Sequence, residues 1–208
     1  MIKYTAENSV TFYKKRLKFK GLNSLFSAIN DSLSRYLSEF SFAFEYPAAP
    51  EASDNGNPPA AAGTNLYVII KNNHDTATAG MFNAQLYSSF AVPVYEYLIE
   101  GIENRLSENY LIACDLVTIS DIKQINRIAS RANAVLKSFF ERRKTLLTEI
   151  HVKFLIEGKK ISVQQEFNPL TIRLLDINRP DLLEFAYNNS PNLKKYSNFI
   201  LEVIKNYD

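Results

Sequence analysis

The 208-residue sequence has little of what most often announces a site. It holds a single cysteine, Cys114. A disulfide within the chain is excluded, and a cysteine-based metal site has no second thiolate to draw on. Cys114 stands in an apolar stretch and reads as a small buried hydrophobe. There are two histidines, His74 and His151, and neither belongs to an H-x-x-x-H or H-x-E pattern. A metal site needs three or four ligands at sensible spacing, so none is expected. Six glycines, none of them in G-x-G-x-x-G or G-x-x-x-x-G-K-[ST], leave little for a loop that cradles phosphate. No G-x-S-x-G is present, so no nucleophile elbow is expected. Tryptophan is absent. No apolar run approaches the ~20 residues of a membrane helix. The first residues, Met1 to Tyr4, carry no apolar signal region. The net charge of +2 argues against a nucleic-acid coat or a polybasic membrane binder. These absences predict no catalytic residue, no cofactor, no metal and no membrane partner. They suit a reducing compartment, or a particle assembled there.

What is present is bulk capacity for burial. The chain is 46% hydrophobic and 22% charged, with 12 Tyr and 14 Phe. A chain of this length can bury roughly 70% of its unfolded surface, enough for one good core. The clearest pattern lies in 108–167. Residues 110–119 read as a strand apolar on both faces. From Ser120 a helix carries Ile122, Ile125, Ile128, Ala129, Ala132, Val135, Leu136 and Phe139 in one stripe. After Arg143 the period changes to two. Ile150, Val152, Phe154 and Ile156 alternate with His151, Lys153, Leu155 and Glu157, and Gly158 turns the chain into a return strand.

Upstream, residues 1–20 form a basic arm, read as one or two short strands. Leu22, Leu25, Phe26, Ile29, Leu33, Tyr36, Leu37 and Phe40 then follow at helical spacing. Residues 41–46 and 66–70 read as strands joined by a Pro/Ala-rich loop at 47–65. Residues 81–106 read as a helix broken at Pro93, which lacks the N–H a helix interior needs. Past Pro169, helices are expected over 170–176, 180–187 and 191–207. The fold class is therefore α+β: a mixed, mainly antiparallel sheet of 41–46, 66–70, 110–119, 148–157 and 160–167, packed with amphipathic helices and ending in a helical region. The domain plan is an arm at 1–20, a core at 21–168 and a helical extension at 169–208.

Candidate interaction residues follow from charge and turn chemistry. Lys14, Lys15, Arg16 and Lys18 lie in the arm, and Asp54-Asn55-Gly56 is a turn in the long loop. Lys123, Arg127 and Arg131 fall at i, i+4 and i+8 on the basic face of the helix at 121–144. A paired-carboxylate site would have to draw on Asp115 and Asp121. A deep polar pocket holding His74 or Asp115 would point instead to an enzyme.

The order of a helix at 22–40, a strand at 41–46, a loop and a second strand at 66–70 resembles the start of tail-terminator and neck proteins of phages and contractile injection systems. That resemblance implies a non-catalytic, self-assembling ring subunit of a virion or tail-like particle. Its partners would be copies of itself and neighbouring structural proteins, with no small-molecule substrate. The alternative expectation is a nucleic-acid-associated accessory protein using the arm and the basic helix face.

Overall fold

The computed structural model describes residues 2–5, 9–12 and 15–18 as backbone, and 22–40, 63–100, 102, 104–157, 160–164 and 166–205 in full. In chain order the elements begin with β1 (Ile2–Thr5), β2 (Ser9–Phe12) and β3 (Lys15–Lys18), an antiparallel sheet in that order. Next come α1 (Asn23–Ser38), β4 (Thr64–Asn73), α2 (Thr76–Phe82), β5 (Ser89–Ile99), α3 (Glu108–Ala113) and α4 (Ile119–Glu141). The chain continues through β6 (Leu146–Glu157), β7 (Lys160–Val163), β8 (Ile172–Leu175), α5 (Asp181–Glu184) and α6 (Ser190–Lys205). The larger sheet runs β5-β4-β6-β7, and β8 also pairs with β6. Every pairing is antiparallel. The fold is α+β, an antiparallel sheet packed with amphipathic helices.

Alternation along the two central strands gives the sheet two unlike faces. Val68 and Ile70 of β4, with Ile150, Val152 and Phe154 of β6, join the main core beneath α4. Tyr67, Ile69, Lys71, Glu149 and His151 belong to the opposite face, which the register sets side by side: Ile69 opposite His151, Lys71 opposite Glu149. Helix α4 forms where its stripe predicts, with Ile122, Ile125, Ala129, Ala132, Leu136, Phe139 and Phe140 buried. Its start is a capping box: the Thr118 hydroxyl accepts from the Asp121 N–H, and the Asp121 carboxylate accepts from the Thr118 N–H. A buried amide pair ties α4 to β4. Asn72 and Asn133 each donate Nδ2 to the other's Oδ1 at 2.9 Å, and Asn72 also donates to the Leu147 carbonyl.

Three expected elements differ. Residues 110–119 are helix α3 and a turn. Leu111 and Val117 are buried there, Tyr110 is 63% exposed, and Asp115 adopts the left-handed φ of 54° that ends the run. Cys114 is exposed, not buried. Residues 89–99 are strand β5, not helix. β5 is an edge strand, and Pro93 falls in its irregular stretch between the Val94–Lys71 and Ser89–Asn73 pairs, where proline is tolerated. Residues 172–175 are strand β8, because β6 extends past β7 and leaves an edge that Ile172 to Leu175 pair with. Residues 41–46 and nearly all of the 47–65 loop lie outside the described residues.

The outer edge of β8 is closed by a side chain. The buried Tyr196 hydroxyl of α6 accepts from the Leu174 N–H at 2.6 Å and donates to the Leu174 carbonyl at 3.1 Å. Tyr196→Phe leaves that buried N–H without a partner and is expected to cost about 1–3 kcal/mol. Urea unfolding of the two proteins checks this; equal midpoints would show that the hydroxyl contributes nothing.

Candidate functional site

At the end of the sheet where β4 meets α2, a cleft of about 490 Å³ opens among charged side chains. Lys71, Asn73, His74 and Asp75 come from β4 and the turn after it, and Thr148 and Glu149 from β6. Arg173 comes from β8, and Glu184 and Tyr187 from α5 and the turn that follows. A β-bulge places the β6 pair. Leu147 pairs with Leu174 and Glu149 with Arg173, so Thr148 is the extra residue. The bulge shifts the alternation, and Thr148 and Glu149 both reach the cleft while Leu147 and Ile150 stay in the core.

Two ion-pair groups reach the cleft. In the first, Lys71 has 8% of its side chain exposed and donates to Asp75 Oδ2 at 2.8 Å, with Glu96 Oε1 at 3.7 Å. Glu96 in turn pairs with Arg105. Burial works against ionisation of Asp75, but the Lys71 bond and the Thr78 N–H and hydroxyl outweigh it and hold the carboxyl at about 2. In the second, Glu149 Oε1 accepts from His151 Nε2 at 2.6 Å and lies 3.3 Å from Arg173 Nε. Burial alone would push the Glu149 carboxyl up. The Arg173 charge and the His151 bond outweigh it, so Glu149 stays ionised well below the ordinary range. Burial pushes His151 down, which leaves a neutral ring donating from Nε2. Two guanidinium or ammonium groups thus stand at the cleft among carboxylates, an arrangement suited to binding a polar ligand through charge-assisted hydrogen bonds.

His74 does lie in a polar cleft, with its ring centroid 4.0 Å from that of Phe90. Asp115 sits in an exposed turn, and Asp121 is spent on the α4 cap. Of the other candidates, those described in full lie outside the lining of the cleft. Lys123, Arg127 and Arg131 line the exposed side of α4, and Arg131 donates to the Phe40 carbonyl at 2.6 Å. Lys15, Arg16 and Lys18 fall in β3. Lys14, Asp54, Asn55 and Gly56 lie outside the described residues. Lys71, Glu149 and Arg173 escaped the sequence reading. A trace of them was there: Glu149 and His151 are titratable neighbours on one face of an otherwise apolar strand. Among the described residues no group of three or more His, Cys, Asp and Glu could hold a metal ion, and no helix is long and apolar enough to cross a membrane.

No protein-family model matches the sequence, and no curated protein sequence matches it. Solved structures do match. The chain is similar to phosphoribosylaminoimidazole-succinocarboxamide synthase from Ehrlichia chaffeensis, at 17% identity and a TM-score of 0.73, covering 98% of this chain and 94% of that one. A SAICAR synthetase in complex with ADP matches at 16% identity and a TM-score of 0.74, covering 100% and 95%. The SAICAR synthase from Saccharomyces cerevisiae, complexed with SAICAR, matches at 10% identity and a TM-score of 0.66, covering 97% and 87%. At these identities the likeness shows the fold. It overturns the resemblance to phage neck and tail-terminator proteins, which covered only the segment before residue 72, since the synthetase fold accounts for the helix-rich remainder as well. The ring-forming virion subunit, the absence of catalysis and the absence of a small-molecule substrate fall with it. Of these matched synthetases, one is in complex with ADP and another with SAICAR.

Proposed function

We propose that the protein is a small-molecule enzyme of the ligase type that forms an amide from a carboxylate and an amine, working in a reducing cytoplasm. The observation that carries this is the fold match across nearly the whole of both chains, with a charged cleft at the end of the central strands. A succinocarboxamide is an amide bearing a succinyl group. Forming one joins a carboxyl carbon to an amine nitrogen with loss of the elements of water. In water that condensation needs an activated carboxylate, and the ADP bound by one structure of this fold fits a nucleoside triphosphate as the activator. Lys71 and Arg173 supply the positive charge that orients an anionic substrate, and Glu149 holds the Arg173 guanidinium in place. Asp75 and Glu184 supply acceptors for an amine.

Calorimetric titration with SAICAR and with ADP tests the reading. The protein is expected to bind both, and Arg173→Met is expected to weaken SAICAR binding by about tenfold or more, since a bidentate cation contributes about 1.5–3 kcal/mol to an anion contact. Circular dichroism of the variant confirms that it folds. Failure of the wild type to bind either ligand would overturn the ligase reading.

A further inference from the structure

The Lys71 ammonium is the most enclosed cation of the cleft, and a carboxylate of its own chain already sits on it. Asp75 Oδ2 accepts from Nζ at 2.8 Å, the distance at which an oxyanion of a ligand would sit. The other acid near Nζ, Glu96, lies at 3.7 Å and is shared with Arg105. The two oxygens of Asp75 have separate duties. Oδ1 accepts from the Thr78 N–H at 2.8 Å and from the Thr78 hydroxyl at 2.8 Å, which caps α2. Oδ2 is left for Lys71. The cap therefore fixes the carboxylate in place over the ammonium, and it does so at the rim, where 38% of the Asp75 side chain is exposed. The backbone at Lys71 is fixed, because β4 holds it between buried Ile70 and Asn72, and Asn72 is locked to Asn133.

We propose that Asp75 is a specificity-determining residue of the cleft, an internal competitor that occupies the oxyanion position on Lys71. Asp75 takes one of the three N–H groups of Lys71 and offsets its charge, so a ligand anion gains the full cation by displacing the carboxylate, or by presenting a cationic or amino group that satisfies Asp75 while the anion reaches Lys71. A simple oxyanion such as inorganic phosphate meets both the occupied position and the repulsion of a like charge. The proposal rests on the reading of this cleft as a ligand site, and it concerns the lysine whatever the reaction.

Asp75→Asn separates the two duties. The amide oxygen can keep the Thr78 cap, since asparagine caps as well as aspartate. The amide nitrogen then faces Lys71, with neither charge nor acceptor. Binding of inorganic phosphate is measured by calorimetry at low salt. The wild type is expected to bind it weakly, and Asp75→Asn about tenfold more tightly, the scale on which one like charge at ion-pair distance acts near a surface. Adding Lys71→Met to Asp75→Asn is expected to abolish the gain. Thr78→Val removes the hydroxyl bond to Asp75 but keeps the backbone N–H bond that holds the carboxylate over the lysine, and is expected to leave phosphate affinity within twofold of wild type. Equal phosphate binding by wild type and Asp75→Asn overturns the proposal. So does a gain that survives Lys71→Met, or an equal gain in Thr78→Val. If Asp75→Asn gains phosphate while SAICAR and ADP fail to bind the wild type, the competitor role stands and the ligase reading falls. The reverse result separates them the other way.

Discussion

Replacing Glu149 by alanine is expected to lower the unfolding free energy by about 3–5 kcal/mol, the cost of breaking a buried ion pair from one side. Glu149 is 3% exposed. Its carboxylate neutralises Arg173, 85% of whose side chain is out of water, and accepts from a histidine that is 1% exposed. Truncation takes a buried counter-charge from the guanidinium and removes the acceptor of the ring N–H. At about 2–4 °C per kcal/mol for a chain of this size, the midpoint of thermal unfolding is expected to fall by roughly 10 °C. The same group gives the protein an acid limb. Its folded-state value is depressed, so its contribution is fully present above the unfolded value of 4.5 and is lost as pH falls further, through the folded value. Stability of the wild type should therefore decline below about pH 5, and Glu149→Ala should decline less steeply over the same range. Urea unfolding at pH 7 and pH 4 measures both. A variant that unfolds with the wild-type midpoint at pH 7 would mean that Glu149 is not what balances Arg173.

Phe140→Ala is expected to cost a similar amount for an unrelated reason. Phe140 is fully buried near the end of α4, and its ring meets that of Phe139 edge-on with centroids 5.0 Å apart. Its carbonyl also receives the N–H groups of Arg143 and Thr145, which turn the chain from α4 into β6. Removing the ring loses its transfer free energy and opens a cavity that the surrounding backbone cannot collapse, for about 3–5 kcal/mol in all. Unlike Glu149→Ala, this loss should not depend on pH between 4 and 7, because no titrating group is touched. Phe140→Leu refills much of the space and should recover more than half of the loss. Chemical denaturation of the two variants decides the matter. Equal losses for Ala and Leu would point to ring contacts, not volume, as the source.

Helices α1 and α4 and the β6–β7 hairpin were legible because each is long and carries one clean period, so burial of one face leaves a single solution. The α+β class followed from them. Short apolar runs were not legible. Residues 110–119, 89–99 and 172–175 are apolar enough for strand or helix, and their state is decided by what lies beside them. Strand β8 exists because β6 offers an edge, and β5 tolerates Pro93 because it is itself an edge. The resemblance to phage proteins failed for a related reason, since the order of one helix and two strands is compatible with many folds.

The candidate site divides along the same line. Composition and spacing determined that the chain has a single thiol, neither of the two glycine-rich phosphate-loop patterns and no G-x-S-x-G, and each of those statements needs only the identity of near neighbours in sequence. Whether the chain acts on a small molecule was not determined that way. Lys71, Asp75, Glu149 and Arg173 are unremarkable one by one: a lysine ending an apolar run, a turn aspartate, a strand glutamate, an arginine before two leucines. Only the antiparallel register of β4, β6 and β8, with the bulge at Thr148, turns them toward one cleft. The same register removes them from water, and a charge that means little on a surface becomes a strong, oriented group when it is enclosed beside its counter-charge. Burial and long-range pairing are properties of the tertiary structure, and no local window of the sequence contains them.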